Sequence, residues 1–530
     1  MEKIAITGNL LIGAQSVRGN IGEIRAVNPA TSELLNPPFY GADNQQLDNA
    51  CSLAATAFDP YRATSLEARA QFLEAIAQGI LDLGDELIER VIAESGLTRP
   101  RIEGERARTC SQLRLFASIV REGRWLNPII DAAIPDRKPV PRPDLRSQKI
   151  PMGPVAVFGA SNFPLAFSVG GGDTAAALAS GCPVIAKSHP SHLGTSELVG
   201  RTIQKAIADC GLPEGVFSLL VGSDNALGEA LVRHPAIQAV AFTGSRRGGL
   251  ALVAIAASRT NPIPVFAEMS STNPIFLLPE ALSLRSRTIA TGLVDSATLG
   301  VGQFCTKPGL IVGIASPSFE QFSTEVSSAL ETAVPGTMLN TAIHKAYTNG
   351  TEGLRRHSSV RKLAEGKAAV TDVCSAQAML FSTSAQAILS EPELSSEVFG
   401  PSVLLIACED EAEMLTVAEH LDGQLTATLQ LDGADIRIAQ RLLPILERKA
   451  GRILVNGFPT GVEVSHAMVH GGPFPSTSDS RVTSVGAMAI ERFLRPICYQ
   501  NFPAELLPAS IQPNNPLSLW RVVNGRLQQP

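Results

Sequence analysis

Charge and long apolar runs are scarce in this chain. Of its 530 residues, 18% are charged and 5% are aromatic, and the formal net charge is -6. That charge creates no positive field to attract nucleic acid or an anionic membrane. The sequence also lacks an uncharged apolar run of about 18 residues and an apolar stretch ahead of a cleavage site near its start. We therefore expect no nucleic-acid partner, no membrane helix and no secretory signal.

Paired cysteines are also missing, because none of the eight cysteines belongs to a C-x-x-C motif. Scattered, unpaired cysteines are typical of a reducing compartment, so we predict a cytoplasmic protein without a metal site. Cys305 has unusual surroundings, with Gln303 before it, Thr306 after it and a small apolar segment at 297–301. Such a position can hold a thiolate, although a lone cysteine is more often a small buried hydrophobe.

Hydrophobic residues make up 45% of the chain, enough for a large core, and the length predicts two or three domains. Apolar spacing predicts helices at 44–58, 65–83 and 84–96, so the first 130 residues read as mostly helical. Residues 136–149, rich in Pro and Arg, cannot form a helix and predict a linker or an extended edge segment.

From residue 154 onward, short apolar strands alternate with helices. This alternation predicts an α/β fold with a doubly wound parallel sheet, whose ligands lie at the carboxyl ends of the strands. A second alternating series at 273–456 predicts another α/β domain. The predicted strands are 155–158, 183–186, 217–221, 239–242 and 265–266, and the predicted helices are 173–180, 196–210, 226–234 and 248–257.

The glycines at 170–172 match the dinucleotide fingerprint G-x-G-x-x-A, but their context does not fit it. The fingerprint follows a strand directly, whereas Ser161, Asn162 and further residues intervene after Phe158. Close helix packing is the preferred interpretation of these glycines, with phosphate binding as the alternative.

Polar residues at the predicted strand ends are better candidates. Ser245 stands where a helix begins, and free N–H groups there can bind a pyrophosphate. Lys187 can donate to ribose hydroxyls. Glu268 follows an apolar strand, so we expect desolvation to raise its pKa toward that of a general base. The alternatives are a plain helix cap, a surface lysine and a salt-bridged glutamate. An E-V-F-G-P turn at 397–401 adds an acid and an aromatic ring.

Taken in chain order, these residues resemble the aldehyde dehydrogenase superfamily over nearly the whole chain. In that superfamily an N-F-P turn, a lysine, an F-T-G-S turn, a glutamate, a G-Q-x-C cysteine and an E-x-F-G-P turn recur in this order. The matching positions are Asn162, Lys187, 242–245, Glu268, Cys305 and 397–401.

The resemblance implies a mechanism built on three residues. Cys305 attacks the aldehyde carbon to form a thiohemiacetal, and the Asn162 amide and the Cys305 N–H hold the oxyanion. Hydride transfer to the nicotinamide leaves a thioester, which is hydrolysed by a water that Glu268 deprotonates. The resemblance further implies a homodimer or homotetramer and a cofactor bound by Lys187, Ser188, Pro190, Gly244, Ser245, Gly249, Glu397 and Phe399.

Two departures from the superfamily pattern bear on the cofactor. Met269-Ser270-Ser271 replaces the usual Leu-Gly-Gly, and these bulkier residues can alter how the nicotinamide sits. Pro190 stands where NAD-preferring members carry a glutamate three residues after the lysine. Without that carboxylate nothing repels a 2'-phosphate, so we predict a preference for NADP, with NAD possible.

Several segments, including 158–168, 302–309 and the C-Y-Q-N-F-P tail at 498–503, are similar to the 2-oxoglutarate semialdehyde (2,5-dioxopentanoate) dehydrogenase branch. This similarity implies oxidation of that acidic aldehyde to 2-oxoglutarate. The alternatives are oxidation of medium or long-chain fatty aldehydes with NADP and, more remotely, a non-catalytic cofactor-binding protein on the same fold. The candidate substrate residues are Phe163, Arg108, Gln112 and Arg114.

The resemblance also divides the chain. It predicts a dinucleotide-binding domain at 1–135 and 154–272, a catalytic domain at 273–483, and small oligomerisation segments at 136–153 and 484–530.

Overall fold

A computed structural model describes residues 5–369 and 373–529 of the protein. Its first large sheet contains the five predicted parallel strands in the order Val265–Glu268, Ala239–Thr243, Val155–Phe158, Val184–Lys187 and Phe217–Leu220. Two antiparallel strands, Leu10–Ile12 and Gln15–Val17, extend its edge. The sequence analysis missed both strands, because three-residue segments are too short to show an alternating pattern.

Helices cover both faces of this sheet, and their buried residues form two of the hydrophobic core clusters. Three predicted helices on the outer side begin and end within a few residues of their expected positions. A fourth, Arg99–Glu122, also contacts the second half of the chain, since Arg108 donates to the Val462 carbonyl oxygen. The helices are Asn44–Arg62, Leu66–Asp82, Gly84–Ser95, Arg99–Glu122, Gly172–Ser180, Leu193–Asp209, Asn225–Arg233 and Arg246–Ala257.

The second large sheet is formed by the alternating series at 273–456, as predicted. Its strands are parallel, apart from an antiparallel edge strand. In spatial order they are Arg361–Glu365, Met379–Ser384, Ser402–Cys408, Leu310–Ile314, Ile275–Leu277, Gln424–Gln430 and Ala450–Val455. The α-helices of this part are Pro279–Thr298, Pro317–Leu330, Thr341–Arg356, Ala385–Ser390, Glu411–His420 and Ile436–Lys449.

A third sheet joins the middle of the chain to its end. Leu145–Pro151, which overlaps the end of the segment 136–149 predicted to be a linker or extended, pairs along its whole length with Leu494–Gln500. The strands in order are Leu494–Gln500, Leu145–Pro151, Ile129–Asp131, Arg521–Val523 and Arg526–Gln528. Two small antiparallel pairs join Ile21–Ile24 to Phe39–Gly41 and Gly336–Thr337 to Ser375–Ala376.

Membrane-spanning helices were not expected. Among the described residues, none of the helices combines the length and the apolar character needed to span a bilayer.

Candidate active site

Cys305 lies just after a left-handed turn of the backbone. Gly300, Val301 and Gly302 have φ values of 56°, 61° and 65°, a conformation that is strained for the β-branched Val301. Asn273 holds the other side of the loop, because its Nδ2 donates to the carbonyl oxygens of Cys305 at 2.8 Å and Lys307 at 3.0 Å. The thiol is therefore presented by a loop whose backbone is fixed on both sides.

Asn162 lies beside the same loop and donates from Nδ2 to the carbonyl oxygen of Gln303 at 3.0 Å. Glu105 anchors the turn that carries it, since its Oε1 accepts from the N–H groups of Leu165 at 2.8 Å and Ala166 at 2.9 Å. Arg101 pairs with Oε2 of Glu105 at 3.0 Å. The Asn162 side-chain amide therefore lies against the loop that carries Cys305 and its N–H.

Glu268 ends the strand Val265–Glu268 and is only 2% exposed. Its Oε2 accepts from the Ser484 hydroxyl at 2.6 Å, and its Oε1 lies 2.9 Å from His470 Nε2. Burial raises the pKa of this carboxyl, but the opposing effects of His470, Ser484 and Cys305 are larger together, and its pKa ends below the ordinary value. The predicted raised pKa was wrong, because those donors come from a distant part of the chain.

His470 is the residue that the sequence analysis missed. It is 1% exposed, and its Nε2 lies 3.4 Å from Cys305 Sγ as well as 2.9 Å from Glu268. The Sγ, Glu268 and His470 atoms all lie within 4.8 Å of one another. Its only local signal is a position just before Gly471-Gly472, which marks a tight loop but says nothing about chemistry.

The surroundings of Cys305 disfavour ionisation of its thiol. Burial is the main cause that raises its pKa well above the ordinary value, and the negative charge of Glu268 adds to it. The positive charge of Arg108 acts in the opposite direction. A base that takes the thiol proton, or a donor that faces the sulfur, is therefore needed for a reactive thiolate.

A cavity of about 330 Å³ opens at Cys305. Phe163 and Arg108, two of the predicted substrate residues, line it. Gln112 and Arg114 do not. The Gln112 amide is buried against Gly172, and Arg114 is exposed, about 120° around the helix from Arg108. The lining residues are Pro100, Arg101, Gly104, Glu105, Arg108, Phe163, Phe167, Phe304, Cys305, Thr306, Gly461 and Val462.

The first group of predicted cofactor residues lies at the carboxyl edge of the first sheet. Lys187 ends the strand Val184–Lys187, and burial lowers its pKa to about 8. Ser188 next to it is buried and Pro190 is exposed. After the strand Ala239–Thr243, two strands away in the same sheet, Ser245 caps the helix Arg246–Ala257 by accepting from Gly248 N at 3.2 Å. This capped N-terminus and the Lys187 cation are suited to a pyrophosphate and a ribose.

The glycines in this region pack against side chains. A Cβ on Gly249 would lie 2.7 Å from the sulfur of Met269, and one on Gly244 would lie 2.7 Å from the Phe242 ring. Met269 therefore fills the space beneath Gly249. A Cβ on Gly171 would lie 2.4 Å from the Ala166 carbonyl oxygen, which favours the packing interpretation of the 170–172 glycines.

Glu397 and Phe399 lie in a turn fastened to the cysteine loop. Lys307 is buried and donates from Nζ to the carbonyl oxygens of Val398 at 3.2 Å and Ser402 at 2.8 Å. Burial raises the pKa of Glu397, and the Lys307 charge opposes that rise. Lys307 thus ties the turn that carries Glu397, the predicted ribose-binding acid, to the loop that carries the Cys305 nucleophile.

The aldehyde dehydrogenase family model matches residues 17–495. The chain belongs to the aldehyde dehydrogenase family. It is an oxidoreductase that acts on aldehydes, and members of this family use NAD or NADP.

Its curated relatives include two bacterial enzymes that match it along almost their full length. An enzyme of Azospirillum brasilense named alpha-ketoglutaric semialdehyde dehydrogenase 2 is 58% identical over 99% of this chain and 100% of its own. An alpha-ketoglutaric semialdehyde dehydrogenase of Acinetobacter baylyi is 50% identical over 98% of this chain and 99% of its own.

Solved structures support the fold at lower identity. An aldehyde dehydrogenase of Pseudomonas syringae in complex with NAD+ and octanal has a TM-score of 0.79 at 22% identity, covering 94% of this chain and 97% of its own. Lactaldehyde dehydrogenase of Escherichia coli has a TM-score of 0.80 at 21% identity, with 93% and 98% covered. The predicted fold class is confirmed.

Proposed function

We propose that this aldehyde dehydrogenase oxidises 2-oxoglutarate semialdehyde to 2-oxoglutarate. The observation that carries the proposal is the 58% identity, from end to end, with a relative named for that substrate. Glu268 lies close to the Cys305 thiol, and Asn162 is bonded to the loop that carries it. This grouping argues against a non-catalytic role on the same fold.

In the proposed reaction, Cys305 Sγ attacks the aldehyde carbon after its proton passes to Glu268. The Asn162 amide and the Cys305 N–H hold the oxyanion of the thiohemiacetal. The bound nicotinamide supplies the hydride acceptor. Glu268 releases the thiol proton to solvent, since its pKa lies below the ordinary value and it is ionised at neutral pH. The ionised carboxylate then removes a proton from the water that hydrolyses the thioester, and the Cys305 thiolate leaves.

His470 has a positioning and donor role in this proposal. Ionised Glu268 requires donors, and the single nitrogen Nε2 lies near both Glu268 Oε1 and Cys305 Sγ. With its proton on Nε2, His470 donates to the carboxylate and faces the sulfur. It thereby keeps Glu268 oriented toward the thiol and stabilises negative charge on Sγ.

To test the proposal, kcat/KM is measured on 2-oxoglutarate semialdehyde, pentanal and octanal. The semialdehyde is expected to exceed both. Cys305→Ala is expected to abolish turnover, whereas Cys498→Ala, at an exposed position, leaves it unchanged. Unchanged turnover of Cys305→Ala would refute the covalent mechanism.

Aliphatic aldehydes are the second candidate class, because Phe163, Phe167 and Phe304 give the cavity an apolar lining. If octanal gives the highest kcat/KM in the same measurement, this candidate replaces the first.

We also propose NADP as the preferred cofactor. At the exposed Pro190 no carboxylate opposes a 2'-phosphate. Pro190→Glu is expected to lower the ratio of kcat/KM for NADP to that for NAD by about 10-fold or more, since like charges oppose each other. Pro513→Glu, at an exposed position in the C-terminal segment, is the control. A wild-type enzyme that prefers NAD, or an unchanged ratio in Pro190→Glu, would contradict the proposal.

A homodimer or homotetramer is proposed as well, since the family is typically oligomeric. Leu494–Gln500 lies at the edge of the third sheet and offers a strand for pairing. Light scattering on the purified protein gives the assembly mass, and a monomer would contradict this proposal.

A further inference from the structure

Three charged side chains line the cavity beside Cys305, and two of them are already engaged with each other. Arg101 pairs with Glu105 at 3.0 Å and donates to the Asn162 carbonyl oxygen at 3.4 Å. Its guanidinium also lies 4.3 Å from the centre of the Phe163 ring. The charge of Arg101 is therefore used to hold the turn that carries Asn162.

Arg108, about two helical turns further along the helix Arg99–Glu122, is not engaged in this way. Its Nε donates to the Val462 carbonyl oxygen at 3.4 Å, and its guanidinium lies 5.1 Å from the centre of the Phe167 ring. Among the described residues, its two terminal nitrogens are buried without a hydrogen-bond partner. Burial lowers the pKa of this guanidinium, yet arginine in proteins keeps its charge.

An unpaired buried cation is costly unless something brings it an anion. The two terminal nitrogens form a planar fork that matches the two oxygens of a carboxylate. Phe163, Phe167 and Phe304 add apolar surface to the same cavity. When the aldehyde end of a ligand lies at Cys305, the unpaired terminal nitrogens of Arg108 are therefore available to its other end.

We propose that Arg108 binds the carboxylate of the acidic aldehyde while its aldehyde carbon faces Cys305. This inference rests on the proposed function and names the residue that selects the acid. The aldehyde and the acid are the two ends of a five-carbon chain, and the methylene groups between them lie against the phenylalanine rings. An uncharged aldehyde of equal length gains the apolar contacts alone.

Arg108 has a second electrostatic effect, because its charge also favours the Cys305 thiolate. A substitution at Arg108 therefore lowers turnover of every aldehyde to some degree. The ratio of kcat/KM for 2-oxoglutarate semialdehyde to that for pentanal cancels this common effect. That ratio is the quantity that reports carboxylate binding.

The test compares wild type, Arg108→Met, Arg108→Lys and Arg114→Met on both aldehydes. Arg108→Met is expected to lower the ratio by about 10- to 100-fold, the range for a lost hydrogen-bonded charge. Arg108→Lys retains the positive charge but not the planar fork, so its ratio is expected to lie between those of Arg108→Met and wild type. Arg114→Met removes an exposed cation of the same helix outside the cavity, and its ratio stays at the wild-type value. The melting temperatures of all four proteins establish that they are folded.

Binding without turnover gives an independent measurement. Glutarate, which carries the carboxylate but no aldehyde, is expected to raise the melting temperature of wild type and Arg114→Met but not that of Arg108→Met. If wild type prefers pentanal, the proposed function fails. If wild type prefers the semialdehyde and Arg108→Met keeps the wild-type ratio and the glutarate response, the function stands and the role of Arg108 is overturned.

Discussion

At the scale of single residues, the site depends on His470. Its Nε2 lies 2.9 Å from Glu268 Oε1 and 3.4 Å from Cys305 Sγ. Burial raises the pKa of Glu268, and His470 opposes that rise. Glu268 is therefore ionised and oriented through a neighbour 202 residues away in the chain.

His470→Ala is expected to lower kcat by about 10- to 100-fold at neutral pH, because the base is less often ionised and less well oriented. Without His470, burial raises the pKa of Glu268 with less opposition. Since Glu268 acts in its ionised form, the acid limb of the pH profile of kcat moves to higher pH, and the loss is greater at low pH than at high pH. His466→Ala, at an exposed position in the same segment, is the control. An acid limb at the wild-type pH would contradict this role.

At the scale of local elements, the left-handed turn at 300–302 joins the nucleophile to the cofactor side. A Cβ on Gly302 would lie 2.4 Å from the carbonyl carbon of Gly400, which follows Glu397 and Phe399. The two backbones therefore touch where any side chain would separate them.

Gly302→Ala is expected to destabilise the protein by about 1 to 3 kcal/mol, because the left-handed conformation and the close approach both oppose a side chain. Turnover falls as Cys305 moves relative to the 397–401 turn. The matched control is Gly353→Ala in the helix Thr341–Arg356, where an added Cβ meets nothing within 4 Å. It is expected to be neutral or to stabilise by about 0.5 to 1 kcal/mol. Denaturant unfolding and kcat are measured together, and wild-type values for Gly302→Ala would show that the contact is unimportant.

At the scale of the whole molecule, the last part of the chain completes the site. The Met269 N–H donates to the Ser476 carbonyl oxygen at 2.8 Å, and Ser484 and His470 both contact Glu268. Arg492 anchors this segment to the helix Gly172–Ser180 through a buried pair with Asp173 at 2.7 Å. The segment after 461 therefore determines the chemistry of a glutamate on the first sheet.

A double-mutant cycle tests this anchor. Asp173→Leu is expected to cost about 3 to 5 kcal/mol of stability, since it leaves the Arg492 charge buried and alone. The double variant Asp173→Leu with Arg492→Leu is expected to recover most of that loss. Thermal and denaturant unfolding measure wild type, the single variants Asp173→Leu and Arg492→Leu, and the double variant. Additive losses in the double variant would contradict a coupled pair.

Much of this arrangement could be predicted from the sequence. Alternating apolar strands and helices predicted both parallel sheets, because strand periodicity and crossover length are local properties. Lys187, Ser245 and Glu268 were assigned to one sheet edge because parallel strands end on the same side. The three-residue strand Leu10–Ile12 was missed, since its only signal is the partner strand with which it pairs.

By itself, the sequence determined the family, the order of the motifs and the choice of Cys305, Glu268 and Asn162, because these follow from residue types at fixed positions along the chain. The tertiary structure alone decided that the pKa of Glu268 is lowered, that His470 faces the thiol, and that Arg108, unlike Arg101, keeps its terminal nitrogens unpaired. The physical reason is the same in each case. Charge state and hydrogen-bond pairing depend on neighbours within a few ångströms, and here those neighbours lie far away in the chain.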